Sequence, residues 1–237
     1  MTLMKSALRI SSTSPKFQQP SYNSVLMQIK AILFDADGVI QRPAADRQSR
    51  WVALAGGSAE DVHRFKLAVF TVERPCHDGV GDFVSAFQDV LDSWKCGGSL
   101  EDALRMWTAI ETDAPVMELI AAVRASGVAC HLATNQEPYR ARYMTETLNY
   151  RNHFDRLFFS CQLGCSKPDS RYFTTVLAAL DLAPENVLFI DDVEANTKSA
   201  EAVGMRAELF NAEPGAFAAR EMRRILVQHG IAISELR

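Results

Sequence analysis

The chain has 237 residues, 48% of them hydrophobic and 23% charged, with a net charge of −4. That length gives room for one large domain, or for one domain carrying a sizeable insert, and the composition is ordinary for a soluble globular protein. The acidic balance offers no global attraction to nucleic acid, and no apolar run approaches the ~20 residues that span a bilayer; a cytoplasmic protein without nucleic-acid or membrane partners is expected, as monomer or homodimer.

The first thirty residues differ from the rest. They hold Lys5, Arg9, Lys16, Lys30 and several serines, with no acid before Asp35. Low acid and high serine fit an organelle targeting segment, but arginine is scarce, and Pro15 and Pro20 interrupt any helix. A disordered extension over residues 1–28, or a start codon placed upstream of Met27, is the simpler expectation. Lys30 to Phe34 is then a short branched apolar run, read as a buried strand, and Gly38 permits a sharp turn behind it.

Residues 40–113 read as helices. Ser58 with Asp61 marks a helix start, followed by apolar positions at Val62, Phe65 and Val69. Phe83, Phe87, Val90, Leu91 and Trp94 recur at helical spacing, and so do Leu100, Leu104, Trp107 and Ile110 behind a cap at Ser99. Between them, 74–81 reads as a glycine-bearing loop. From Pro115 the pattern becomes strict alternation: helices over 115–126, 139–148, 168–182, 195–203 and 215–228, strands over 128–133, 156–160, 186–190 and 205–210. Alternation of this kind predicts an α/β fold with a doubly wound parallel sheet. Ninety-nine positions separate Asp35 from Thr134, whereas one parallel crossover takes only about 30. The surplus predicts a small all-helical cap over 40–113, inserted into a core of 29–39 and 114–237. A cap that starts beside reactive groups can close over them as a lid.

The five cysteines, Cys76, Cys96, Cys130, Cys161 and Cys165, are odd in number and are read as reduced thiols. Cys161 and Cys165 have no matching Cys/His pair to complete a zinc site.

Four apolar stretches end in residues suited to a phosphate or a metal: Asp35 with Asp37, Thr134 with Asn135, Lys167, and Asp191 with Asp192. In a parallel α/β sheet, ligands sit at the carboxyl ends of the strands, so these distant segments should meet at one edge. Asp35 could attack phosphorus as a nucleophile, and Asp37 could move protons to and from the ester oxygen and water. Asp191 and Asp192 would repel each other unless a cation intervenes, and oxygen ligands suit Mg²⁺. Lys167 at a helix N-cap could reach inward and offset the charge of a phosphate among carboxylates. Thr134 and Asn135 could hold phosphate oxygens, and Asn196 could orient Lys167 or a metal-bound water. Each piece also has a plainer reading when taken singly. Asp35 and Asp37 fit a polar turn; Thr134, Asn135 and Asp192 fit helix caps; Lys167 fits a solvated surface. Their order and shared strand-end context favour the chemical reading.

The four segments resemble the motifs of haloacid dehalogenase (HAD) superfamily hydrolases: FDADG at 34–38, LATN at 132–135, SKPD at 166–169 and FIDD at 189–192. The likeness covers about residues 29–229 and is strongest to phosphatases with a helical cap after the first motif. It implies a Rossmann-like core and a Mg²⁺-dependent phosphatase working through an aspartyl-phosphate on a small phosphorylated metabolite such as a sugar phosphate. By the same resemblance Asp35 is nucleophile, Asp37 general acid/base, Thr134 and Lys167 bind the phosphoryl group, and Asp192 ligates Mg²⁺ with Asp35 and the Asp37 carbonyl, Asp191 assisting. The family's dehalogenases lack an acid at the position of Asp37. His77, in the loop at 76–79, falls where related enzymes select substrates, although a structural turn also accounts for it. A phosphomutase using the same intermediate is the alternative. A non-enzymatic phosphoacceptor module fits poorly, because there the acidic pair precedes the phosphorylated aspartate.

Overall fold

A computed structural model of the chain describes residues 28–232. The extension expected over 1–28 lies outside them, except for Gln28. Strand β1 (Ala31–Phe34) is buried throughout, the pattern of a parallel strand covered on both faces. Behind it the chain leaves through β2 (Gln41–Pro43) and returns through β3 (Ile110–Thr112), which pair as an antiparallel ribbon. Between these lie helices α1 (Arg47–Ala55), α2 (Ala59–Glu73), α3 (Phe83–Trp94) and α4 (Leu100–Trp107), with a 3₁₀ turn over Arg74–Asp78. Ser58 and Ser99 open α2 and α4 with full capping boxes to Asp61 and Asp102, as the spacing predicts.

The helical reading of 40–113 therefore needs correction at both ends and at the 74–81 loop. The ribbon strands are three residues each, too short to show an alternation, and each finds its partner some seventy positions away. The 3₁₀ turn ends at Gly79, whose positive φ of 74° a left-handed residue requires. A Cβ there would stand 2.7 Å from the Cys161 carbonyl oxygen, so the turn sits directly against the body of the protein.

After β3 follow α5 (Ala114–Ala125), β4 (Ala129–Thr134), α6 (Pro138–Glu146), α7 (Tyr150–His153), β5 (Arg156–Phe159), α8 (Ser160–Leu163), α9 (Ser170–Leu180), β6 (Val187–Asp191), α10 (Glu194–Ala202), β7 (Arg206–Leu209) and α11 (Ala216–Gln228). The five-stranded sheet runs β5-β4-β1-β6-β7, parallel throughout. Successive side chains point to opposite faces. Ile32, Phe34, Leu132 and Ile190 pack under α5, α6, α7 and α11. Leu33, Ala133, Phe158 and Phe189 pack under α9 and α10 on the other face. The sheet is doubly wound, as expected. From β1 the chain first adds strands on one side, then crosses to β6 on the other, so a switch point lies beside β1.

The helices between β2 and β3 have an apolar core of their own. Trp51, Phe65, Phe87 and Trp107 are buried together there, with edge-on ring contacts such as Trp51–Trp107 at 6.2 Å. Among the described residues no helix is long and apolar enough to cross a membrane.

Candidate active site

The register places three of the strand ends side by side. Phe34 lies opposite both Leu132 and Ile190, and the Asp35 amide still donates to the Ile190 carbonyl at 2.9 Å. Asp35 and Asp191 therefore stand level on adjacent strands, with Thr134 on the other side of β1. Among the described residues, Asp35, Asp191 and Asp192 form the one acidic cluster whose ligand oxygens all lie within 4.8 Å of one another.

Lys167 fills the gap between the two buried members. Its Nζ donates to Asp35 Oδ1 at 2.7 Å, to Asp191 Oδ2 at 2.6 Å and to the Ala133 carbonyl at 2.8 Å. Burial alone would push the ammonium toward neutrality, but the two carboxylates hold its pKa above the usual lysine value. Burial pushes the Asp35 carboxyl up to about 7; Asp191 and Asp37 push the same way and Lys167 opposes them. Asp191 is clamped by Asn196 Nδ2 at 3.0 and 3.1 Å and by the Val193 amide at 2.8 Å. Asn196 thus holds Lys167's partner and not Lys167 itself.

Asp192 is exposed, and it leans over the turn after β1. A Cβ on Gly38 would come 2.1 Å from Asp192 Oδ2, so glycine at 38 is what lets this carboxylate approach Asp35. The donor set fits a hard divalent cation. It is all oxygen, and three carboxylates against one ammonium leave two negative charges that such an ion would offset.

Asp37 stands apart from that cluster. Its Oδ1 accepts from Arg140 Nη2 at 2.7 Å and Gln41 Nε2 at 3.1 Å, and its Oδ2 from Gln136 Nε2 at 2.8 Å. Burial opposes ionisation, yet the Arg140 charge and these hydrogen bonds outweigh it and hold the carboxyl below the usual range. The Asp37 side chain is therefore engaged away from the acidic cluster, against its expected place among the metal ligands.

Other expectations are corrected by the local packing. Lys167 is not a helix cap: α9 begins at Ser170, and its N-cap is Asp169, whose side chain accepts from the Arg171 amide. The Asn135 side-chain amide is engaged with the backbone of Lys167. It accepts from the Lys167 amide at 2.9 Å and donates to the Lys167 carbonyl at 2.8 Å, which is how a loop residue is held rigidly enough to aim its ammonium. Neither Thr134 nor Asn135 caps α6, since Glu137 does. Thr134 is buried, its hydroxyl accepting from Gln136 at 3.3 Å. Asp192 does not cap α10, whose N-cap is Val193.

His77 lies on a cleft of about 550 Å³ that also includes Lys167, Asn135 and Glu73. Its Nε2 lies 2.9 Å from Glu73 Oε1. Residues not singled out from the sequence do much of the positioning. Arg140 and Gln136 hold Asp37, and the Tyr150 hydroxyl donates to Gln41 Oε1 at 2.8 Å, which fixes the third donor. The signal for Arg140 was slight: one arginine on the first turn of a helix that begins just past the second motif.

Comparison with known proteins gives the family. The family model described as haloacid dehalogenase-like hydrolase matches residues 29–204. A phosphorylated carbohydrates phosphatase of Thermotoga maritima is 27% identical over 184 residues, which is 75% of this chain and 82% of that protein. Bifunctional epoxide hydrolase 2 of Rattus norvegicus is 26% identical over 226 residues, covering 84% of this chain but only 39% of the rat protein. Among solved structures, a HAD family enzyme of Bacteroides thetaiotaomicron in complex with magnesium and inorganic phosphate shares the fold, with a TM-score of 0.65 at 19% identity over 77% of this chain and 94% of that one. With the four motifs gathered at one end of a doubly wound sheet and the family model matching across them, the chain belongs to the haloacid dehalogenase-like hydrolases.

Proposed function

We propose that the protein is a Mg²⁺-dependent phosphatase that hydrolyses a small phosphorylated metabolite, such as a sugar phosphate, through an aspartyl-phosphate. The observation that carries this reading is the buried Asp35 at a strand end, bridged by Lys167 to Asp191 and close enough to Asp191 and Asp192 to share a cation. The relative named a phosphorylated carbohydrates phosphatase supports the substrate class.

In this reading Asp35 attacks phosphorus, the ester P–O bond breaks, and Asp37 supplies the proton to the departing alcohol. Water then attacks the phosphorylated Asp35 while Asp37 takes back a proton, releasing phosphate and restoring both carboxyls. Asp37 is held two residues beyond Asp35 by Arg140, Gln136 and Gln41; these contacts favour its carboxylate, the form that takes a proton from water, and the acid half requires the Arg140 pair to loosen so that Asp37 carries the proton. Lys167 and Thr134 face the phosphoryl oxygens, and the helical segment over 40–113 acts as the lid that excludes water. Asp35, Asp192 and the Asp37 carbonyl, with Asp191 behind them, would hold Mg²⁺, which supplies charge neutralisation for the transferring group.

The test is phosphate release from a panel of sugar and other metabolite phosphates. An Asp35→Asn variant is expected to lose turnover by at least about a thousandfold, and EDTA is expected to abolish it reversibly. Asparagine at 35 working at the parental rate would remove the nucleophile assignment, and indifference to EDTA would remove the metal. Conversion of a hexose 1-phosphate to the 6-phosphate without phosphate release would make the protein a mutase.

A further inference from the structure

Two arginines near Asp37 have work left undone. Arg140 is 7% exposed, and although its Nη2 pairs with Asp37, its buried Nε has no partner. Arg47, the first residue of α1, also has a buried Nε without a partner. Among the described residues no carboxylate pairs with the Arg47 side chain, and its guanidinium rests over the Trp107 ring at 5.3 Å. Burial first, and then the neighbouring Arg140 charge, bring its pKa down to about 10. A desolvated guanidinium beside a second one is unfavourable, and an arriving anion relieves both costs.

The surroundings are built to admit one. Arg47 lines a recess of about 500 Å³ together with Lys66 and with Arg42, whose charge is already met by Glu111 and Asp113, and with Trp51 and Phe70 as apolar walls. Phe70 also lines the Lys167 cleft, so the two hollows adjoin. Trp107, which carries the Arg47 guanidinium, donates to Glu137, the cap of the helix that bears Arg140, so Arg47 stands on the Arg140 side of Asp37, the side to which the proposed acid role of Asp37 assigns the departing alcohol. Gln136 Oε1, also without a partner, is an acceptor and takes no part in holding an anion.

We propose that Arg47, backed by Arg140, receives a second acid group on the leaving-group side of the substrate, so that the preferred substrates are phosphomonoesters of an alcohol bearing its own carboxylate or phosphate. This rests on the phosphatase reading above. Guanidinium forks suit either oxyanion, and it is the extra charge, absent from a simple sugar phosphate, that the recess selects.

The experiment compares kcat/KM for glucose 6-phosphate, 6-phosphogluconate and glucose 1,6-bisphosphate in the parent, Arg47→Met and Arg47→Lys proteins. The parent should prefer at least one of the two acid-bearing esters, and which one it prefers identifies carboxylate or phosphate. Arg47→Met should lower that ester's kcat/KM by roughly tenfold to a hundredfold more than that of glucose 6-phosphate, mainly through KM, and Arg47→Lys should recover part of the loss. Equal losses on all three esters, or no preference in the parent, overturn the proposal. If no ester, p-nitrophenyl phosphate included, is hydrolysed, the phosphatase reading itself fails. The recess is then judged by equilibrium binding of 6-phosphogluconate against glucose 6-phosphate; identical affinities in the parent and in Arg47→Met overturn it.

Discussion

Replacing Lys167 with Met keeps most of the side-chain volume and deletes one charge, which makes it a clean probe of the centre. The Lys167 side chain is 1% exposed and makes three hydrogen bonds, two of them to the carboxylates of Asp35 and Asp191. Without the ammonium, two carboxylates whose oxygens lie within 4.8 Å face each other, a repulsion of about 3 kcal/mol at an effective dielectric of about 20. Breaking a buried pair from one side costs about 3–5 kcal/mol, the same effect seen from the mutational side, so a loss of that size is expected in EDTA at alkaline pH, where both carboxyls are ionised. Two further features follow. In the variant, one carboxyl should hold its proton in the folded state above the pH at which it releases it unfolded. Asp35 already titrates at about 7 beside the ammonium, so the deficit is full only above the variant's higher pKa, shrinks as pH falls through it, and is smallest once both proteins hold the proton, below the parent's value. Magnesium should narrow the gap between parent and variant, since a cation at 100 times its Kd adds about 2.7 kcal/mol to the folded state and the more negative variant site binds it more tightly. Urea unfolding of both proteins, with EDTA or Mg²⁺ and at two pH values, reads all three. A variant within about 0.5 kcal/mol of the parent in EDTA, below the usual reach of a charge buried among partners, would refute the charge argument; a gap that Mg²⁺ leaves unchanged would refute the cation site.

Gly38→Ala should fold but bind Mg²⁺ at least about tenfold more weakly by calorimetry, because the new Cβ lies 2.1 Å from Asp192 Oδ2 at a φ of 83°; unchanged affinity would mean that Asp192 is not a ligand. Asn196→Ala should release Asp191 from two side-chain hydrogen bonds and cost about 1–3 kcal/mol of stability, with Asn196→Ser restoring little of it because the shorter side chain cannot span the gap. His131 is 4% exposed on β4, and burial lowers its pKa to about 4. Its unfolded imidazole takes up a proton near pH 6.5, so stability is present above that value and is lost as pH falls toward 4, by at most about 3 kcal/mol. His131→Leu also removes an orphaned Nδ1, so its stability should vary less across that window; parallel pH curves for parent and variant would count against the assignment.

What the sequence revealed, and what it hid, follow from the range of the interactions. Strand β6 and the carboxylates at its end announce themselves through a local apolar run that stops at Asp191. The capping boxes at Ser58 and Ser99 are equally local, with every partner three residues away. By contrast, the β2–β3 ribbon depends on a partner some seventy positions off, and Lys167 looked like a helix cap because the Asn135 clasp that holds it is 32 positions away. Arg140 was hidden for the same reason: its ion pair with Asp37 spans 103 positions, and no periodicity records such a contact. Residue type and strand-end order could find the groups to which the proposed chemistry falls; the groups that hold them needed the fold.

The same contacts also tie the helical segment to Asp37 by two routes. Gln41, which donates to Asp37, sits in β2 at the neck of the insert, with Tyr150 holding its carbonyl oxygen. At the far end of the insert, Trp107 Nε1 donates to Glu137 Oε1 at 3.1 Å, and that same oxygen accepts from the Arg140 amide at 2.8 Å. Trp107 also carries the Arg47 guanidinium on its face. Any swing of the insert about its ribbon must therefore shift Gln41, Arg47 and the cap that seats Arg140 together, so Asp37 is fully held only when the insert is docked. In the proposed mechanism that arrangement would couple proton transfer by Asp37 to docking of the insert, and an anion bridging Arg47 on the insert to Arg140 on the body would strengthen the docked state.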